Sequence, residues 1–149
     1  MRSSNYSSRC CLALTVLFSV LACGGVKEAD LAHLSGYWEI REAVAPDGRS
    51  RTYGAAPAVD YYQLENLKGF RKKVQPQADG SFLASDDALP LEVIRRDGGF
   101  YLRFNSGDDH WEEEVLQLSA TTLQTRNPEG IRYTYARYEP LNLHSDGAE

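Results

Sequence analysis

The densest set of side chains able to do chemistry is Asp108-Asp109-His110-Trp111-Glu112-Glu113-Glu114. On a strand, His110, Glu112 and Glu114 project from one face, and an imidazole with two carboxylates could in principle hold a divalent ion. Their spacing matches no metal motif. One histidine beside solvated acids reads better as an exposed strand whose charges discourage edge-to-edge pairing, so no metal is expected. Asp86-Asp87, Glu65 with Asp79, and Glu92 with Asp97 define no general acid/base couple, because sequence gives no separation between them. His33 and His144 fall in a linker and a tail. Neither Gly-x-Ser-x-Gly, a phosphate loop nor a dinucleotide fingerprint is present. Arg71-Lys72-Lys73 sets three cations in a row, and alternation along a strand makes them a solvated face in preference to a contact for anionic headgroups. A protein that is not an enzyme and carries no cofactor is the expectation. The net charge of −5 over 149 residues also argues against nucleic acid as a partner, since that binding needs clustered Lys and Arg.

The three cysteines, Cys10, Cys11 and Cys23, all lie near the amino terminus. Arg2 and Arg9 precede an uncharged run from Cys10 to Ala22, the n-region and h-region of a secretory signal. The run is shorter than the roughly 20 residues of a spanning helix. Its end, Val20-Leu21-Ala22-Cys23-Gly24, resembles a bacterial lipobox, which implies cleavage after residue 22 and acylation of Cys23. The other reading is ordinary secretory cleavage near Ala22, leaving Cys23 as a free thiol. Either cut removes Arg2 and Arg9 and leaves no second thiol for a disulfide or zinc cluster. Acyl chains contribute about 0.8 kcal/mol per buried methylene, enough for two or three to hold a protein on a membrane. Gly rather than Asp after the cysteine implies, by resemblance to known lipoproteins, the outer membrane of a diderm bacterium.

From Tyr37 onward the chain has the period of two of half-buried strands, broken by turn residues. Trp38, Ile40 and Val44 alternate with polar neighbours before Pro46-Asp47-Gly48, and Phe70, Lys72 and Val74 share a face before Ala78-Asp79-Gly80. Leu89 to Arg96, Asp97-Gly98-Gly99 and Phe100 to Asn105 make the clearest hairpin. Trp111 to Leu118, Leu123 to Thr125 and Ile131 to Tyr138 complete about eight or nine short strands with no long helix. Strands joined by tight turns favour an all-β, up-and-down antiparallel barrel over a Greek-key sandwich, which needs longer crossovers. Ile40, Phe100, Leu102, Phe104, Trp111, Tyr133 and Tyr135 are the candidates for its interior face. Leu31 and Leu34 are spaced for one helical turn packed beneath it.

The opening Leu34-Ser35-Gly36-Tyr37-Trp38 resembles the Gly-x-Trp start of lipocalins. With Trp111 and Val115, Leu118-Ser119-Ala120-Thr121-Thr122-Leu123 and Tyr133-Thr134-Tyr135-Ala136-Arg137, the chain is similar to the small lipocalin-like lipoproteins of Bacteroidetes. The resemblance implies a lipocalin-like barrel in which Gly36 lets the chain enter closely, Trp38 plugs one end and Arg137 lies on the indole. The expected organisation is a leader over 1–22, a lipidated tether over 23–33, the barrel over 34–139 and a disordered tail over 140–149. Two functions remain open: a non-catalytic binding module for a small hydrophobic or amphipathic molecule, or a filled barrel acting through its outer surface as an adaptor, inhibitor or structural lipoprotein.

Overall fold

The computed structural model describes residues 25–55 and 58–139; Cys23, the leader and the segment 140–149 lie outside the described residues. A short 3-10 helix, Glu28–His33, leads in, and its first turn closes where the Asp30 carboxylate accepts the Lys27 backbone N–H at 2.8 Å. Ten strands follow: β1 Gly36–Val44, β2 Ser50–Thr52, β3 Val59–Glu65, β4 Lys68–Pro76, β5 Phe82–Ala84, β6 Leu89–Arg96, β7 Gly99–Ser106, β8 Asp109–Leu118, β9 Thr122–Arg126 and β10 Arg132–Arg137. All pairings are antiparallel, between neighbours in the meander, and β10 returns to β1 to close the sheet. Eight strands make the barrel, while β2 extends β1 and β5 extends β4 as short flaps. The chain is thus all-β and up-and-down, and closure removes the open edges that invite association.

Two bulges decide which side chains enter the barrel. On β1, Ile40 faces Tyr135 and Glu42 faces Thr134, so Arg41 is an extra residue. The parity flips there: Ala43 faces Tyr133 on the inside, and Val44, expected to share a face with Trp38 and Ile40, is turned outward. On β8 the extra residue is Leu116, and it brings Leu118 opposite Leu123 in the core after Val115. Period-two reading carries no signal for either bulge. The turns are more regular. Asn66 and Leu67 have φ of 50° and 66°, and Asp97 and Gly98 have 53° and 79°, the left-handed pairs that match hairpin twist.

One end of the barrel is sealed with apolar side chains. Leu31, Leu34, Trp38, Leu118 and Leu123 are all buried there. The helix therefore packs as part of the folded unit, although it falls within 23–33, the span expected to be a tether. Leu31 is 4% exposed because the barrel end needs a cover, and burying a Leu side chain contributes about 1.5–3 kcal/mol. Among the described residues no helix is long and apolar enough to cross a membrane.

Candidate functional site

At the sealed end the Trp38 indole N–H donates to the Leu34 carbonyl at 2.8 Å, and the Arg137 guanidinium carbon lies 3.9 Å from the ring centroid. Arg137 also donates to the carbonyls of Ala120 at 3.0 Å, Ser35 at 2.8 Å and His33. One cation thus ties the lead-in helix, β1 and the β8–β9 turn across the end of a closed eight-stranded meander. The barrel is lipocalin-like.

The other end of the interior is polar. From β4, Arg71 points inward with its guanidinium carbon 4.4 Å from the Phe104 ring centroid, and its Nη1 is 3.6 Å from Glu113 Oε1. Arg71 is where it is because it pairs with Tyr62 in register, and Tyr62 is fully buried. Glu113, from β8, accepts the Thr125 hydroxyl at 3.1 Å and the Trp111 indole N–H at 3.4 Å. Asp60 on β3 is buried, and Lys73 reaches its Oδ1 at 2.8 Å across the rim, a close charge contact without hydrogen-bond alignment. The Tyr62 hydroxyl is also enclosed, beside Arg71 but with no aligned hydrogen bond.

Burial raises the Tyr62 phenol well above its ordinary value, Arg71 opposes that rise, and Asp60 and Glu113 reinforce it. Burial disfavours the Arg71 charge, yet Tyr62, Asp60 and Glu113 together hold its pKa above the ordinary guanidinium value. Tyr135 is raised chiefly by burial, and Tyr133 in the same direction for the same reason. A neutral-phenol, charged-guanidinium cluster of this kind is stable because each ion has a close partner.

Above the cluster lies a cavity of about 390 Å³, floored by Arg71, Glu113 and Tyr135 and walled by Trp111, Tyr133 and the turn Asn127-Pro128-Glu129. That volume is in the range of ligand sites, roughly 300–1,000 Å³. Asn127 positions the turn, its side-chain oxygen accepting the Ile131 backbone N–H at 2.8 Å. A larger depression of about 560 Å³ lies at the sealed end, between the helix and the β3–β4 hairpin. Its lining has neither aromatic rings nor an ion pair.

The interior candidates from the sequence occupy two levels. Phe100, Leu102, Phe104 and Tyr135 are buried in the core, and Ile40, Trp111 and Tyr133 are half-buried against it. Trp111 and Tyr133 also border the mouth cavity, and Trp111 stacks on Phe104 with ring centroids 5.4 Å apart. Gly36, Trp38 and Arg137 meet at the sealed end. Two expectations about charge are corrected. The run 71–73 is not a uniformly solvated face, because register sends Arg71 into the barrel beside Tyr62. The acids of β8 do not guard an edge, because β8 pairs with both β7 and β9. Outside, Glu112 binds Arg103 at 2.8 Å and Arg96 at 2.9 Å, and Glu114 binds Arg126. These hydrogen bonds, Arg103's foremost, hold the Glu112 carboxyl below its usual range. Among the described residues no cluster has the makeup of a metal site. Glu113, with the opposite parity, is the acid of that run that turns inward, and sequence reasoning misses it. A signal for it exists, since Glu113 lies between Trp111 and Val115 in the inward parity.

No family model matches the chain. No curated protein matches it either. Among solved structures, a lipocalin-like protein from Bacteroides uniformis is similar at 14% identity and a TM-score of 0.46, covering 71% of this chain and 99% of its own. An uncharacterised protein from Bacteroides eggerthii is similar at 15% identity and 0.45, covering 70% and 99%.

Proposed function

We propose that this chain is a non-catalytic binding module that takes a small amphipathic molecule in the open end of its barrel, held at a bacterial outer membrane by acyl chains on Cys23. The observation that carries the reading is the mouth cavity, where a largely enclosed Arg71–Glu113 pair sits under Trp111 and Tyr133. Ligand sites of this type combine aromatic walls with a few convergent polar groups. The sealed end is packed solid by Trp38, Leu118 and Leu123, so a long acyl chain has no channel to thread, and amphipathic ligands fit better than purely hydrophobic ones. Native mass spectrometry of the protein purified from cells tests the reading: a retained small molecule, lost on Trp111→Ala, is expected. Repeated recovery of empty protein that takes up no probe of any class would count against it. The anchor has a separate test, since Cys23→Ser is expected to move the protein from the membrane fraction to the soluble one.

A second reading, an adaptor acting through the outer wall, is favoured by one feature. Tyr37 stacks on Phe82 at 4.3 Å and 3°, Tyr61 lies 4.8 Å from Tyr37, and Phe70 and Tyr138 extend the row. Pull-down of a partner that is lost on Phe82→Glu while small-molecule binding is unchanged would move the function to this face.

A further inference from the structure

The mouth cavity offers a donor set and an acceptor set side by side. Arg71 is largely enclosed, its side chain 18% exposed, and among the described residues its guanidinium makes no aligned hydrogen bond; its contacts are the Phe104 ring, the Tyr62 phenol and Glu113 at 3.6 Å. A guanidinium has five N–H donors, so most are free for a ligand that reaches the cavity floor. Glu113 spends its acceptors on Thr125 at 3.1 Å and, weakly, on Trp111 at 3.4 Å. A carboxylate has about four lone-pair sites, which leaves acceptor capacity beside the Arg71 donors.

Charge decides which ligand can use both. An anion drawn to Arg71 would sit against Glu113 and under Glu129 at the rim, and a cation drawn to Glu113 would meet Arg71. Lys73 is committed to Asp60, so it does not shift this balance. An uncharged group that donates and accepts at adjacent positions satisfies both side chains without leaving either ion unpaired. The walls add a second requirement, because Trp111 and Tyr133 favour a ring with an apolar face.

We propose that the barrel mouth binds an uncharged, polyhydroxylated ring of monosaccharide size, with a vicinal diol bridging Arg71 and Glu113 and its C–H face against Trp111. The proposal rests on the binding-module reading and narrows it from amphipathic molecules in general to neutral sugars.

The test uses the protein purified from cells, titrated while tryptophan fluorescence and ligand saturation-transfer NMR are followed. The probes are glucose, galactose and N-acetylglucosamine, the matched anions glucuronate and galacturonate, and dodecanoate. At least one neutral sugar is expected to bind, with its uronate weaker by about tenfold, the equivalent of about 1.4 kcal/mol. Glu113→Gln and Trp111→Phe, both close in shape to the native residues, are expected to lower sugar affinity by at least about threefold. Uronates binding more tightly than the neutral sugars would overturn the charge argument and make Arg71 an anion site. Binding of dodecanoate without any sugar would overturn the proposal and leave the binding-module reading standing. If none of the probes binds, the sugar proposal falls, and the broader reading is judged by whether protein from cells carries a molecule.

Discussion

Arg137 and Gly36 occupy one another's space: a Cβ at Gly36 would collide with the Arg137 Nη1 that donates to Ser35. Gly36 also has φ +123°, a conformation that side-chain-bearing residues rarely adopt. The glycine is therefore required twice, once by its own backbone and once by the guanidinium stacked on Trp38. Gly36→Ala is expected to destabilise the barrel by about 2–4 kcal/mol, and Arg137→Ala by about 2–3 kcal/mol from the lost cation–π contact and carbonyl hydrogen bonds. Because Arg137→Ala removes the group that a Cβ at position 36 would strike, the double variant is expected to cost clearly less than the sum. Urea denaturation of the four proteins measures this, and strict additivity would sink the account.

The β3–β4 turn carries a local conflict. Leu67 has φ 66°, where a Cβ costs roughly 1–2 kcal/mol, and its side chain is 44% exposed, so it recovers little by burial. Leu67→Gly places a glycine directly after Asn66, and Asn-Gly is the preferred pair for such a turn. The substitution is expected to stabilise the chain by about 1 kcal/mol, because the backbone carbonyl of position 67 that accepts the Val93 N–H at 2.7 Å is kept. A lower midpoint in chemical denaturation would show that the side chain contributes more than its strain costs.

The barrel class was legible because alternation at Phe100, Leu102 and Phe104 and the glycine-bearing turns are local properties, visible in any short window. The sealed end was legible for the same reason: Leu34, Gly36 and Trp38 are neighbours in sequence, and Arg137 closes the last strand. The polar floor of the mouth was not. Arg71 looks like a surface cation in Arg71-Lys72-Lys73, and only its register against Tyr62 on β3 turns it inward. Glu113 is marked in the sequence only by its parity with Trp111 and Val115, and its contact with Thr125 is what shows that it is held inside. The inside of a barrel is assembled from pairings between strands, and bulges such as those at Arg41 and Leu116 change the parity on which a one-strand reading depends.

Arg71 and Glu113 form an ion pair in a site that water reaches on one side only. Removing one partner leaves the other charge under-compensated, whereas removing both leaves none. Arg71→Met and Glu113→Gln are each expected to cost about 2–4 kcal/mol, with the double variant at least about 1 kcal/mol better than additive. A coupling near zero in the double-mutant cycle would mean that the two side chains are solvated independently and that the mouth is wetter than its geometry implies.

Tyr62 and Tyr135 give the protein a defined alkaline weakness. Their ordinary value is 10.0, and burial raises both well above it in the folded state. In the unfolded chain both phenols ionise near pH 10; in the folded chain they keep their protons. The unfolded state therefore binds fewer protons above that pH, and stability falls as pH rises. Their contribution is fully present below about pH 10 and is lost above it. Tyrosinate absorbance and circular dichroism followed together should show a rise in absorbance above about pH 10 that coincides with loss of the barrel signal. The Tyr62→Phe variant separates this effect from general base denaturation. It removes an enclosed hydroxyl without an aligned hydrogen bond, so at about pH 7 its stability is expected to be equal to or up to about 1 kcal/mol above that of the parent. Above about pH 10 the advantage should widen, since one of the two proton-linked losses is gone. A Tyr62→Phe protein less stable than the parent at both pH values would mean that the hydroxyl contributes a hydrogen bond, with Arg71 as its partner.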